Sequence, residues 1–256
     1  MAAALAATMT VAGCGRPASV PAPEPAPPTT SASALPATGP TSVPPGLAGR
    51  DLERLPTDAK VVALTFDAGA NGDAVPSILA TLARERIKAT FFLTGAFVNQ
   101  FPAAARQIAA AGHRIGNHSM THPAFAGLAS ALIRHEVLSG AQSIQAVTGT
   151  DPKPLFRFPF GSKDAKALTE VNSLGYAAIR WTVDSLGWQG TMSGTRGASF
   201  TADRVLAAAV PGEIVLMHVG SNPTDHSMLD AEALPAVIAG LRQRGYAFTT
   251  LRSLLN

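Results

Sequence analysis

The sequence contains a single cysteine, Cys14, in 256 residues. No disulfide can therefore close within the chain. It also lacks a dense cluster of lysine or arginine. Its 20 basic and 17 acidic residues leave a net charge of only +3, although the pI is about 9.4. No nucleic-acid partner is expected on that pattern, while a weak attraction to an anionic surface stays open. The apolar run Ala2–Gly13 is too short to span a bilayer, which needs about 20 residues. No repeat of roughly 20–50 residues recurs along the chain, which removes solenoids and propellers. What the sequence does have is apolar material. It is 46% hydrophobic and 14% charged, enough to bury a sizeable core and unlike a disordered chain.

Three regions follow from composition. Residues 1–14 are small and apolar, as in the core of a signal peptide, and end in "VAGC". That tetrapeptide resembles a bacterial lipobox, in which the cysteine carries the lipid. The basic stretch that usually opens such a signal is missing, since the first basic residue is Arg16. The other reading is an Ala-rich leader with an incidental cysteine. Residues 15–50 are dominated by Pro, Ala, Ser and Thr, the composition of an extended, semi-rigid tether. Residues 51–256 carry the folded pattern. The expectation is an exported domain, secreted or lipid-anchored on the outer face of the bacterial membrane.

Within that domain, β-branched apolar runs alternate with stretches of helical spacing. "KVVALTF" reads as a strand, and Ala74–Ile87 as a helix with Ile78, Leu79, Leu82 and Ile87 on one face. "KATFFLTG", "HRIGNH", "PLFRFP", "YAAIRWTVD", "EIVLMHV" and "YAFTTL" read as further strands. Phe97–Gly112 reads as one helix stopped by glycine, and helices are also expected between the later strands. Such alternation implies a mainly parallel sheet with right-handed crossovers. Seven to eight units in about 200 residues fit a closed or nearly closed (β/α) barrel, with an open doubly wound sheet as the alternative. Either architecture puts its chemistry at the C-terminal ends of the strands.

The polar residues at those ends are Asp67, His118 with His122, Arg157, Asp184 and His218. His118 and His122 are four apart, so a helical turn would set both rings on one face. Two imidazoles so placed can share a divalent ion, or they are simply surface histidines. Arg157, before a proline-fixed turn, is either a surface arginine or a clamp on a carboxylate such as Asp67. Asp184 is a turn residue or a site carboxylate, and Trp188 reads as core. His218 ends a very apolar strand, either as a satisfied core residue or as a general acid or base. Asp73 is either a metal ligand or the N-cap of the helix that starts at Ala74. His113 and His135 read as structural or solvated, and His226 is left open.

In this order the segments resemble the polysaccharide deacetylases of carbohydrate esterase family 4, the NodB-homology domain. "TFDAG" resembles the family's T-F-D-D-G, "HSMTH" matches H-[ST]-x-x-H and "RFPF" matches R-x-P-[YF]. "DSLGW" resembles D-x-x-D-W, and "LMH" matches L-x-H. The resemblance spans about Val61 to Leu251 and implies a distorted (β/α) barrel. It implies removal of acetyl groups from N-acetylated glycans, peptidoglycan or a chitin-like oligosaccharide, by a monomeric domain with one divalent ion, Zn²⁺ or alternatively Co²⁺. It implies Asp67 as general base, Arg157 as its orienting partner and His118 with His122 as metal ligands. Asp184 is implied as the partner of His218, which gives its proton to the leaving amine. Phe160, Trp188 and Leu216 are implied to bind substrate, Phe160 through its backbone N–H. Two positions depart from the pattern. Ala68 stands where the family has a metal-binding aspartate, and Gly187 where D-x-x-D-W has its second acid. An inactive glycan-binding relative and an O-acetyl esterase are the competing functions.

Overall fold

The computed structural model describes residue 43 and residues 46–254. The expected signal segment, Cys14 and nearly all of the expected tether lie outside the described residues. Packing begins inside the last part of that tether. Leu47 is buried against Leu52 and Leu55, and Gly49 donates its N–H to the Asn172 side chain at 2.7 Å.

Among the described residues nine strands pair, all in parallel: β1 (Asp51–Leu52), β2 (Val61–Ala68), β3 (Thr90–Leu93), β4 (Arg114–Asn117), β5 (Leu155–Phe156), β6 (Ala177–Ile179), β7 (Val183–Asp184), β8 (Glu213–His218) and β9 (Ala247–Thr249). Their order is β1-β6-β5-β4-β3-β2-β8-β7, with β9 on β2. β8 covers Val62–Asp67 along one edge of β2, while β9 and β3 share the other edge. The end strands β1 and β7 do not pair with each other, so the barrel is incompletely closed. Arg180 and Thr182 bridge the gap by backbone bonds to Leu52 and Ile214, both 2.8 Å. The strand expected over Tyr176–Asp184 is therefore two strands with a bend between them.

Seven α-helices among the described residues fill the connections: α1 (Val75–Arg84), α2 (Gly95–Gln100), α3 (Pro102–Ala110), α4 (Ser130–Thr148), α5 (Ala165–Ser173), α6 (Ala198–Ala207) and α7 (Leu229–Gln243). The single helix expected over Phe97–Gly112 breaks at Phe101, which has φ −123° and ψ 56°. Pro102 causes the break, because its ring disfavours helical backbone at the residue before it. No described helix is long and apolar enough to cross a membrane.

Period-two alternation sorts the side chains of β2. Val62, Leu64, Phe66 and Ala68 join the layer beneath the helices, with Val75 and Ile78 of α1 and Leu234 and Ile238 of α7. Ala63 packs in the barrel interior with Phe92, Leu155, Ile179 and Ile214. Burying side chains of this size contributes about 1.5–3 kcal/mol each. Thr65 and Asp67 share the parity of Ala63, so alternation carries Asp67 inward at the C-terminal mouth of the barrel. The same parity on β8 sets Ile214, Leu216 and His218 inward, and His218 stands level with Asp67 in the register.

Candidate active site

A cleft of about 580 Å³ opens at this mouth. Asp67, Gly69 and Ala70 from the end of β2 line it, as do His118, His122, Phe160, Trp181, Asp184, Trp188, Leu216 and His218. Every site residue named from the sequence borders it except Asp73 and Arg157, the latter bonded to Asp67.

Arg157 is fully buried. Its Nη1 donates to Asp67 Oδ1 at 2.8 Å and to Thr65 Oγ1 at 2.9 Å, and its Nη2 donates to the Arg180 carbonyl at 2.9 Å. Nε donates to the Ile179 carbonyl at 3.3 Å, and the guanidinium stacks 4.2 Å from the centre of the Phe92 ring. The planar fork thus has a partner on every face. Burial alone would raise the pKa of Asp67. The positive charge of Arg157, aided by His118 and His218, outweighs it and holds the carboxyl below its ordinary value of 3.8. Asp67 is accordingly a carboxylate with one oxygen fixed by Arg157 and the other 3.3 Å from His118 Nε2.

His118 and His122 do converge, but not on a helical turn. They sit on the loop after β4, where Ser119 and His122 have φ of 72° and 64°. Positive φ costs non-glycine residues of order 1–3 kcal/mol and persists only where surroundings impose it. The Glu136 carboxylate does so by accepting the N–H groups of Met120 (2.9 Å) and Thr121 (2.8 Å) and the Thr121 hydroxyl (2.7 Å). Asn117 Oδ1 accepts Ser119 N–H at 3.0 Å, and Ser119 Oγ accepts His122 N–H at 3.0 Å. Gly140 lets the loop approach α4, since a Cβ there would stand 2.7 Å from the Ser119 carbonyl.

His118 Nδ1 is 2.8 Å from the Arg157 carbonyl, which can only accept. That bond fixes the tautomer and leaves the Nε2 lone pair free. Nε2 of His122 lies 3.1 Å from it. Burial lowers the pKa of both rings, that of His122 to about 4, with each other's charge as a further cost for His122. Two neutral imidazoles with Nε2 atoms at this spacing fit adjacent positions around one divalent ion held at about 2.0–2.1 Å. Among the described residues no group of three or more His, Cys, Asp or Glu is arranged to hold a metal. The fit is thus that of a two-imidazole site completed by solvent.

Phe160 is 70% exposed and has φ 58°. Its ring meets His122 edge-on at 4.5 Å. Across the cleft Trp188, 47% exposed, stands edge-on to His218 at 6.3 Å. Two aromatic walls thus flank the polar floor.

A family model of polysaccharide deacetylases matches residues 54–179. The chitooligosaccharide deacetylase of Sinorhizobium fredii is 33% identical over 209 residues, covering 79% of this chain and 95% of that relative. The chain belongs to this family. The peptidoglycan-N-acetylglucosamine deacetylase of Bacillus cereus is 32% identical over 199 residues, covering 78% of this deacetylase-family chain and 70% of the relative. Among solved structures, a CE4 family pseudoenzyme from Bacillus anthracis superposes with TM-score 0.73 at 31% identity, covering 82% of this chain and 70% of that one. A mutant of that pseudoenzyme has restored enzymatic activity.

The deacetylase domain departs from the sequence reading at three carboxylates. Asp184 is not the hydrogen-bonded partner of His218. Its oxygens accept Leu186 N–H at 2.9 Å and Trp188 Nε1–H at 3.2 Å, so it shapes the turn that presents the tryptophan. The carboxylate beside His218 is Asp230, in the first turn of α7, with Oδ2 3.5 Å from Nδ1. Asp73 does not cap the helix and does not line the cleft. It is exposed, accepts the Ser221 hydroxyl at 2.5 Å, and leaves Ala74 as an N-cap without a side-chain bond. Ala68 is fully buried in the helix-side layer and does not line the cleft. His113 is buried and accepts Ala89 N–H through Nδ1 at 3.2 Å, whereas His135 and His226 are exposed. Sequence reasoning missed Asp230, Glu136 and Thr65. No local sequence signal marks any of the three.

Proposed function

We propose that this domain hydrolyses the N-acetyl groups of a cell-wall glycan, peptidoglycan or a chitin-like oligosaccharide, by general acid–base catalysis. The reading is carried by the pairing of Asp67 and His218 across one cleft mouth, a carboxylate kept ionised and an imidazole whose charged form is favoured. An amide needs both groups, because water must lose a proton and the amine must gain one. Asp67 takes the proton from the attacking water, and Arg157 keeps that oxygen pair aimed and unprotonated beforehand. His218 donates to the departing sugar amine. Phe160 and Trp188 flank the sugar, Leu216 closes the pocket for the acetyl methyl, and the Phe160 N–H meets the developing oxyanion. A divalent ion, Zn²⁺ or Co²⁺, would be held by His118 and His122. When bound it would polarise the acetyl carbonyl and lower the pKa of water.

The chain is read as exported, with Cys14 as the lipid-bearing residue. Cys14→Ala in the native host should release it from membranes, and unchanged membrane fractionation would refute the anchor.

Acetate release from N-acetylglucosamine oligomers and from isolated peptidoglycan tests the activity. Wild-type turnover that falls on the order of 10²–10⁴-fold in Asp67→Asn supports it. A specific observation favours a second reading. Ala68 replaces a metal-binding acid, so the domain would bind glycan without cleaving it. Retained glycan binding with no acetate release from N-acetyl substrates, at any added Zn²⁺ or Co²⁺ concentration, would establish that reading instead. Release from O-acetyl xylan alone would make the domain an esterase.

A further inference from the structure

Asp230 is an acid that no motif predicts, yet it is the best-placed carboxylate for His218. It is 3% exposed. Oδ2 accepts the backbone N–H of His218 at 2.8 Å and lies 3.5 Å from its Nδ1, and Oδ1 accepts the Ser185 hydroxyl at 2.5 Å. Nδ1 is buried and has no closer partner among the described residues, so the contact is an ion-pair approach rather than a formed hydrogen bond. Such bonds are often long before substrate arrives. With Nδ1 turned to Asp230, Nε2 is the ring nitrogen left for the cleft.

Gly187 explains how Asp230 fits. A Cβ on Gly187 would stand 2.4 Å from Asp230 Oδ1 and 2.5 Å from its Cγ, closer than atoms can approach. A side chain at position 187 and the Asp230 carboxylate therefore exclude each other. The acid missing from "DSLGW" and the acid present on α7 claim the same space from different elements.

We infer that Asp230 is the positioning residue for His218, its carboxylate standing from α7 in the space that any side chain at position 187 would occupy. This rests on the deacetylase reading only for its kinetic consequence. Other groups face His218 as well. Asp67 on β2 and Asp184 on β7 add negative charge, and His118 with His122 on the loop after β4 oppose protonation when charged. Burial works against the imidazolium, but the three carboxylates, Asp230 foremost, outweigh it and raise the pKa. With 27% of the side chain exposed, solvent screens part of this effect.

Asp230→Asn keeps the shape and can still bond Ser185 and the His218 N–H, but removes the charge. NMR titration of the His218 ring in the full domain reads the result without requiring turnover. The midpoint should fall by about one pH unit, the low end for loss of an adjacent opposite charge. Gly187→Ala should lower it in the same direction by pushing the carboxylate away. In acetate release, Asp230→Asn should lower kcat on the order of 10²-fold with KM unchanged, and its alkaline limb should move to lower pH. An unmoved His218 midpoint in Asp230→Asn would overturn the inference, and an unmoved midpoint in a folded Gly187→Ala would overturn the mutual exclusion. If the wild type proves inactive, the titrations still decide the point.

Discussion

Glu213 offers a perturbation whose size can be worked from the structure. It opens β8, at the opposite end from His218, and it is fully buried. Neither carboxylate oxygen has a hydrogen-bond partner among the described residues. Burial raises its pKa from an ordinary 4.5 to about 7, with the charge of Arg244 offsetting only part of the cost. A raised folded-state pKa means that the fold keeps a proton the unfolded chain has already lost. Stability is full below pH 4.5 and falls as pH rises towards 7. At 1.36 kcal/mol per pKa unit the loss is about 3 kcal/mol, complete just above neutrality. Glu213→Gln is neutral at every pH and nearly the same shape. Its unfolding free energy minus that of the wild type should rise by about 3 kcal/mol between pH 4.5 and 7, then level off. Urea denaturation at one-unit intervals from pH 4.5 to 8.5, followed by tryptophan fluorescence, measures this. The difference between variants is needed because His113 and His122, both depressed to about 4, act in the opposite direction. They raise stability as pH climbs from 4 to 6.5, so the wild-type curve alone would conceal the glutamate. Acetate release should be unchanged, because about 17 Å of strand separates Glu213 from His218. A difference that stays flat across this range would refute the argument and mean that Glu213 is ionised and paired in the fold.

Arg157→Lys should cost about 3–5 kcal/mol of stability, since one ammonium cannot replace the guanidinium's bonds to Asp67, Thr65 and two carbonyls. It should also shift the acid limb of the rate profile upward, and an unchanged melting temperature would contradict the role. Ala68→Asp should lower the melting temperature in chelator, because position 68 is fully buried among apolar groups, and added Zn²⁺ should restore the loss if the new carboxylate reaches the imidazoles. A loss that Zn²⁺ does not change would mean that it points only into the helix-side layer. Phe160→Ala should raise KM for glycan with little change in kcat, given that the ring is 70% exposed over His122. An equal fall in kcat at unchanged KM would place it in the chemical step instead.

The sequence made most of this site legible because the barrel obeys a positional rule. Asp67 and His218 lie at the C-terminal ends of strands, and His118, His122 and Arg157 come just past such ends, which parallel strands deliver to one mouth. What stayed hidden depends on contacts between distant elements. Tyr176–Asp184 has the composition of a single strand, but the backbone bonds of Arg180 and Thr182 to β1 and β8 bend it into two. The histidine pair converges through a strained loop held by Glu136, whose acid is indistinguishable in sequence from any helix-surface glutamate. Asp230 was masked in a different way. An acid in the first turn of a helix is ordinary, since it favours the positive end of the dipole, so nothing local marks it as part of a site.

The two acids missing from the family pattern therefore have unequal consequences. At position 187 the loss leaves a space that Asp230 fills to within van der Waals contact, and His218 still has a buried carboxylate at its back. At position 68 no described acid takes over, because Asp73 is bonded to Ser221 and exposed, and Asp67 is held by Arg157. On the proposed reading, Asp67 and His218 would supply both proton transfers, whereas an ion would be held by His118 and His122 alone among the described residues. A purely dead scaffold would have no use for the buried arginine clamp on Asp67 or the buried acid behind His218. Both are costly to bury and neither is needed to bind a neutral sugar. On the proposed metal-dependent reading, the weak point would be affinity for the ion rather than capacity for acid–base chemistry, and activity should depend on metal concentration more steeply than on any change at the acid–base pair short of removal.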